Sequence, residues 1–278
     1  MKTLQAILLG LLQGLAEFLP ISSSGHLSIF QNFLGIASAE ESSLLFDVML
    51  HLGTLVSVCV VFWQDLVSIV KQCISMVKEY GHPVPGEKKQ YPAVRLLLMM
   101  FFATLPLFLV LPLQDQIEKL YYHTGFIGIA LLGTGAMLWI ADRMAKREKN
   151  EKTMRITDAL LIGLCQGIAT IPGLSRSGTT ISAGIATGLE REFAVKFSFL
   201  ISIPAVLGAN ILSFADALKE GIDWTQMPVF LLGTLVAMVT GYFALRFVRY
   251  ISQKGKFGGF AYYCWFAGAV TILLTIIL

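Results

Sequence analysis

Six apolar runs, each near the length that crosses a lipid bilayer, constrain this chain more than any other feature. They fall at residues 44–62, 94–113, 126–141, 197–214, 229–248 and 259–278, and a helix needs about 20 apolar residues to span the hydrocarbon core. With 55% hydrophobic and 14% charged residues, against about 25% charged in a soluble domain, the chain reads as an all-α integral membrane protein. Disorder is excluded, since it needs low hydrophobicity and high net charge. A net charge of +3 is too small to argue for nucleic acid. The cysteines Cys59, Cys73, Cys165 and Cys264 are dispersed, with no Cys-x-x-Cys pair, and read as small apolar residues.

Two further apolar runs, residues 4–19 and 159–171, end in Gly/Ser/Pro clusters before a full crossing is reached. Segments this short read as re-entrant helical hairpins. The first is not a signal peptide on its pattern, because it lacks a small-x-small cleavage site and Glu17 interrupts its end. Charge distinguishes the two topologies. With six crossings, two re-entrant hairpins and the amino terminus outside, sixteen basic residues fall on one side and only Lys2, Lys119 and Lys219 on the other. Among the sixteen are Lys71, Lys78, Lys88, Lys89, Lys146, Arg147, Arg191, Lys196, Arg246 and Lys256, and their side is expected to be the cytoplasm. If the short runs also crossed, Arg191, Lys196 and the 246–256 group would move outside. Residues 65–80 carry an apolar helical stripe with Lys71 and Lys78 between, which suits an amphipathic helix on the inner surface.

Shifting the sequence by 153 residues aligns Ala6–Ala16 with Ala159–Ala169 and, without a gap, Ser22–Gly25 with Ser175–Gly178. Alanines and leucines match by chance in any membrane protein. Gln13 with Gln166, Gly14 with Gly167 and the two Ser-x-Ser-Gly runs do not, so we read a duplication. The first repeat spans 1–152 and the second 153–278, together one membrane domain. Each holds one hairpin and three crossings, and an odd number of crossings gives the halves opposite orientation. This inverted-topology repeat brings broken helices together near the midplane, where half-helix N-termini favour an anion.

The chemistry-bearing residues lie in the two hairpins. Gln13 and Glu17 are four apart and share a helix face. A carboxylate at membrane depth is costly and marks a functional site; the bland alternative is that Glu17 snorkels or caps a neighbouring helix. The second hairpin places Arg176 beside Ser175, Ser177 and Thr180 on a Gly-rich turn. Forked donors and free backbone amides are what linked phosphates require, although Arg176 could instead pair structurally with Glu17. Ser22, Ser24, Ser175 and Ser177 read equally as ligand contacts or as helix N-caps. His26 is beside both the serines and a carboxylate, and its titration range suits proton transfer. Asp47 and His51, in the first crossing, read as a polar pair near the interface.

At these hairpins the sequence resembles the bacitracin-resistance family of undecaprenyl-diphosphate phosphatases. The family's (Glu/Gln)-x-x-x-Glu motif is matched by Gln13 and Glu17, its Pro-x-Ser-Ser-x-Gly-His by Pro20 to His26, and its Pro-Gly-x-Ser-Arg-Ser-x-x-Thr by Pro172 to Thr180. Gln at position 13 leaves Glu17 as the one acidic candidate there. The resemblance implies a C55 polyprenyl diphosphate substrate cleaved to the monophosphate and phosphate, and tolerance to bacitracin. It also implies a divalent cation, magnesium or calcium, with Glu17 as its acidic ligand. The location it implies is the bacterial plasma (inner) membrane, with the site open to the periplasmic or outer face. A homodimer is among the assemblies it admits.

We therefore expect an intramembrane phosphatase in which Arg176, Ser175, Ser177 and Thr180 hold the diphosphate with Gln13, Ser22 and Ser24. Glu17, Ser23 and His26 run the chemistry: three nucleophiles are open, the Ser23 hydroxyl, the His26 imidazole and a water activated by Glu17, and the favoured one is Ser23, with His26 or Glu17 taking its proton. A lipid flippase is the first rival, since inverted repeats with broken helices are typical of carriers. An intramembrane serine hydrolase is the second, disfavoured because an acyl substrate gives Arg176 little to bind. The topology makes a prediction of its own. In intact cells, cysteines placed at both termini and within residues 114–124 should label from outside, and those within 143–155 only after the membrane is opened. Labelling of the two termini from opposite sides would overturn the inverted repeat.

Overall fold

Long apolar stretches without strand-like alternation fold as helices, because only internal hydrogen bonds satisfy a backbone in lipid. The computed structural model describes residues 1–34, 44–81, 90–144, 148–254 and 257–277, and among these there is no strand beyond one isolated bridge between Lys149 and Leu189. In chain order the helices are α1 (Thr3–Phe18), α2 (Ser23–Leu34), α3 (Leu44–Val61), α4 (Trp63–Gly81), α5 (Pro92–Thr104) and α6 (Gln114–Leu120). They continue with α7 (Thr124–Arg143), α8 (Ile156–Ile168), α9 (Arg176–Ala186), α10 (Arg191–Glu220), α11 (Met227–Lys254) and α12 (Gly258–Ile277).

Among the described residues, six helical stretches are long and apolar enough to cross a membrane, and each overlaps one of the six apolar runs. Two run well past those limits: α10 continues into polar sequence at both ends and α11 at its C-terminal end, where hydropathy falls but helical hydrogen bonding does not stop. The second stretch, Pro92–Ile117, is not one regular helix. Pro106 and Pro112 lack the N–H that an α-helix needs, and the chain tightens into 3-10 turns at Leu105–Leu109 and Leu111–Leu113 before α6. By contrast α1 and α8, with 16 and 13 residues, are too short to cross: at 1.5 Å per residue they reach only about 24 and 20 Å of a core about 30 Å thick. The stripe at 65–80 lies in α4, which turns Ile69 inward and leaves Trp63, Val70, Ile74 and Val77 exposed. Of the basic residues counted above, Lys88, Lys89, Lys146, Arg147 and Lys256 lie outside the described residues.

The largest core cluster gathers Phe18, Phe62, Met99, Met154, Ile162, Ile181, Phe197, Leu200 and Leu245, drawn from helices throughout the chain. Next to it, α1 lies along α11, α8 lies along α5, and α7 pairs with α12. Glycine makes the first two contacts close. A Cβ on Gly10 would sit 2.4 Å from the Gly233 carbonyl oxygen, and one on Gly163 would sit 2.2 Å from that of Ala103. Close backbone approach at small residues is how helices associate in lipid, where no hydrophobic force separates helix from solvent. On the basic side, ion pairs join separated segments: Lys149 with Asp158 at 2.9 Å, and Arg191 with Asp142 at 3.1 Å.

Gly163→Val should lower the thermal unfolding temperature in detergent, because its side chain meets backbone that cannot yield; overpacking of this kind costs roughly 1–3 kcal/mol. Gly259→Ala, with nothing within 4 Å of its Cβ, is the control expected to leave that temperature unchanged.

Candidate active site

The short helices α1 and α8 stop inside the protein, and the turns that follow them touch each other. A Cβ on Gly25 would lie 3.1 Å from Gly173 Cα, and one on Gly178 would lie 3.4 Å from Pro20 Cβ. New helices start at each turn, α2 at Ser23 and α9 at Arg176. Their first-turn amides have no intrahelical acceptors, and both positive dipole ends meet at one place, which favours negative charge there.

The two turns are built alike. Ser22 Oγ accepts from the Gly25 amide at 3.2 Å, and Ser175 Oγ from the Gly178 amide at 3.1 Å. Ser22 and Ser24 hydroxyls are 3.4 Å apart, and those of Ser175 and Ser177 are 3.2 Å apart. Ser22 and Ser175 are therefore helix caps, so the capping alternative holds for these two. They differ in backbone. Ser22 has φ 72°, the one positive value of a non-glycine residue among those described, a conformation that costs a side chain about 1–2 kcal/mol. In the second turn that role falls to Gly173, with φ 92°.

At the meeting point Glu17 is the hub. One carboxylate oxygen pairs with the Arg176 guanidinium. The other accepts the Ser23 hydroxyl at 2.7 Å and the Gln13 amide at 3.1 Å. Glu17 is buried, while the Arg176 side chain keeps 26% exposure, and its other N–H groups make no hydrogen bond within the described residues. The pairing of Arg176 with Glu17, set against phosphate binding in the sequence reading, is thus present. It leaves most of the guanidinium fork open, so the two readings do not compete.

Gln13, Glu17, Ser23 and Arg176 come together as the spacing suggested. His26 does not join them as expected. The sequence reading allowed it to meet Ser23 three residues earlier, yet its Nδ1 lies 2.8 Å from the Ser22 carbonyl and its Nε2 lies 2.7 Å from Tyr263 Oη of α12. Those two groups occupy both ring nitrogens, and the Ser23 hydroxyl donates to Glu17 instead. Thr180 bonds Ser198 of α10 at 2.5 Å and the Arg176 carbonyl at 2.8 Å, so its hydroxyl braces the start of α9.

One further residue at the second turn escaped the sequence reading because it comes from a distant helix. Thr134 of α7, fully buried, donates to the Gly173 carbonyl and accepts from the Ser175 amide, both at 3.0 Å, and so locks the second turn. Nothing near Thr134 in sequence marks it. His51 bonds the Asp47 carbonyl one turn earlier in α3 at 2.9 Å, so the two form a local i, i+4 polar pair within an apolar run.

The donor set suits a hard cation that keeps phosphate oxygens among its ligands. Glu17 supplies a carboxylate, and Gln13 Oε1 is buried with no hydrogen-bond partner. Among the described residues no three His, Cys, Asp or Glu side chains cluster together.

Six apolar helices with a buried carboxylate that holds a guanidinium and a hydroxyl define a multi-pass membrane protein with a polar centre. A family model for bacitracin resistance protein BacA matches residues 6–270. The chain is 41% identical to the undecaprenyl-diphosphatase of Carboxydothermus hydrogenoformans, over 99% of this chain and 97% of that protein. It is 39% identical to that of Alkaliphilus metalliredigens, over the whole of both chains, and 38% identical to that of Methanosphaera stadtmanae, over 99% of each. The chain belongs to the bacitracin resistance protein BacA family.

Proposed function

We propose that this protein is an undecaprenyl-diphosphatase, hydrolysing the C55 polyprenyl diphosphate carrier of cell-wall synthesis to the monophosphate and phosphate. Bacitracin resistance follows from the same activity. One observation carries the reading. A single buried carboxylate, Glu17, holds both a hydroxyl nucleophile, Ser23, and a guanidinium with free N–H groups, Arg176.

In this mechanism the free N–H groups of Arg176 and those first-turn amides of α2 and α9 that Ser22 and Ser175 leave uncapped bind the diphosphate. Ser22, Ser24, Ser175 and Ser177 shape that cradle. Ser23 Oγ attacks the terminal phosphorus as Glu17 takes its proton, the bridging P–O bond breaks, and the lipid monophosphate leaves. Water then hydrolyses the phosphoserine and releases phosphate. Glu17, not His26, is the base, because the Ser23 hydroxyl already donates to it. Glu17 and Gln13 Oε1 would hold a divalent cation, magnesium or calcium, which when bound offsets charge on the phosphoryl oxygens.

The architecture we infer is an inverted repeat of 1–152 and 153–278, with α1–α2 and α8–α9 as re-entrant hairpins in the bacterial plasma membrane and the site open to the outer face. The supporting feature is exchange of partners: α1 packs on α11 of the other half, and α8 on α5, the helix corresponding to α11. The matched serine caps at positions 153 apart support it too.

The decisive assay is phosphate release from a polyprenyl diphosphate by purified protein in detergent, with and without a chelator. Release that the chelator abolishes supports both enzyme and cation. Protein that moves the lipid between vesicle leaflets without releasing phosphate favours the flippase. Arg176→Lys should lose about 30- to 1000-fold in turnover despite keeping the charge, since an ammonium cannot grip two oxygens and a charged hydrogen bond in a dry site contributes about 2–4 kcal/mol. A near-wild-type rate would show that bulk charge suffices. Rapid quenching with labelled substrate should trap an acid-stable phosphoserine that Ser23→Ala abolishes. More than about a tenth of wild-type turnover in Ser23→Ala, a loss well short of the usual cost of removing a nucleophile, would exclude the serine route.

A further inference from the structure

We propose that Tyr263 is a positioning residue for this reaction, acting through His26 on the strained turn that aims Ser23 at Glu17; the inference rests on the diphosphatase reading above. Ser22, immediately before the nucleophile, is held at φ 72°. A side chain stays in that region only where its surroundings over-determine it. Here the fixing bonds converge on the Ser22 carbonyl, which accepts from the His26 amide at 3.2 Å and from His26 Nδ1 at 2.8 Å. A carbonyl only accepts, so Nδ1 carries the proton. In the neutral ring Nε2 is then the lone-pair nitrogen, free to accept from the Tyr263 hydroxyl at 2.7 Å.

The same two rings stack, with centroids 5.6 Å apart and planes 12° from parallel. Contacts at both nitrogens and across the face leave the imidazole a single orientation. The next residue of α12 adds a second hold, since Cys264 Sγ lies 3.6 Å from the Pro20 carbonyl. Thus α12 grips the turn at Pro20 and, through His26, at Ser22. Among the described residues, neither Tyr263 nor Cys264 makes a hydrogen bond to Ser23, Glu17 or Arg176. If the Tyr263 hydroxyl is removed, the ring can rotate, the Ser22 carbonyl loses a donor, and the strained residue relaxes toward ordinary backbone. Because Ser23 is its neighbour, that relaxation moves the hydroxyl off Glu17. The consequence is a slower chemical step with the diphosphate cradle left in place.

Tyr263→Phe is the test, since it keeps the aromatic stack and removes only the hydroxyl. The expected result is a fall in kcat on the order of tenfold, as for a small misplacement of a reacting group, with KM nearly unchanged. In a His26→Ala background the same substitution should have no further effect. A wild-type kcat in Tyr263→Phe, or an equal loss in the His26→Ala background, overturns the proposal. A readout independent of turnover is nitrogen NMR of histidine-labelled protein, assigned by difference with His26→Ala. His26 Nε2 should appear in the wild type as a lone-pair nitrogen accepting a hydrogen bond and should move downfield in Tyr263→Phe. A wild-type Nε2 that carries the proton, or a resonance unmoved by the substitution, also overturns it. Absence of phosphate release by the wild-type protein is the separate failure, that of the diphosphatase reading itself.

Discussion

The polar turns that follow α1 and α8 are arranged around the pair between Glu17 and Arg176. These residues are 159 positions apart, and each would be costly alone, since a charge removed from water costs several kcal/mol even after relaxation. The pair does not remove that penalty. It offsets it, together with the Ser23 and Gln13 hydrogen bonds on the second carboxylate oxygen. Two chain segments with polar turns can therefore end within an otherwise apolar structure only where they end against each other. That requirement ties the first hairpin to the second and makes folding of the site inseparable from packing of the whole.

The surroundings meet the requirement by bringing backbones close. Glycines at Gly10 and Gly163 let the short helices lie directly on α11 and α5, which fixes how far each reaches. The turn after each is then locked from outside the hairpin. Thr134 clamps Gly173 and Ser175, while Tyr263 and Cys264 reach the first turn through His26 and Pro20. Charge-stabilising sites act through donors already in position before reaction. In this protein the helices α7, α10 and α12 supply that fixity, although none of them carries a group that meets the phosphate in the proposed mechanism.

Much of this was legible in the residues. The spans could be read because the bilayer imposes a length, and a run of about 20 apolar residues has few other uses. The stops at α1 and α8 could be read because Gly, Ser and Pro clusters interrupt the apolar pattern. The hub was legible in part. Gln13 and Glu17 share a face by helical spacing, and a lone carboxylate in an apolar run invites a partner, for which Arg176 was the cation in the matching turn. Helix ends were less legible, as α10 and α11 show, because hydropathy reports the membrane and not the continuation of hydrogen bonding into polar sequence.

The role of His26 marks where sequence reasoning stopped. Spacing allowed it to meet Ser23, and its neighbours suited a base, but an imidazole turns toward whichever partners complete both nitrogens. Those partners are the Ser22 carbonyl and a tyrosine 237 residues away. Thr134 was out of reach for the same reason, since its contacts cross between helices. The sequence by itself determined the elements, their apolar faces and the residue types that gather at the two turns, all of which follow from local periodicity and the cost of burying charge. Only the tertiary structure decided which hydroxyl faces Glu17 and which way His26 points, because those are set by hydrogen bonds whose partners are distant in the chain and meet only when the helices pack.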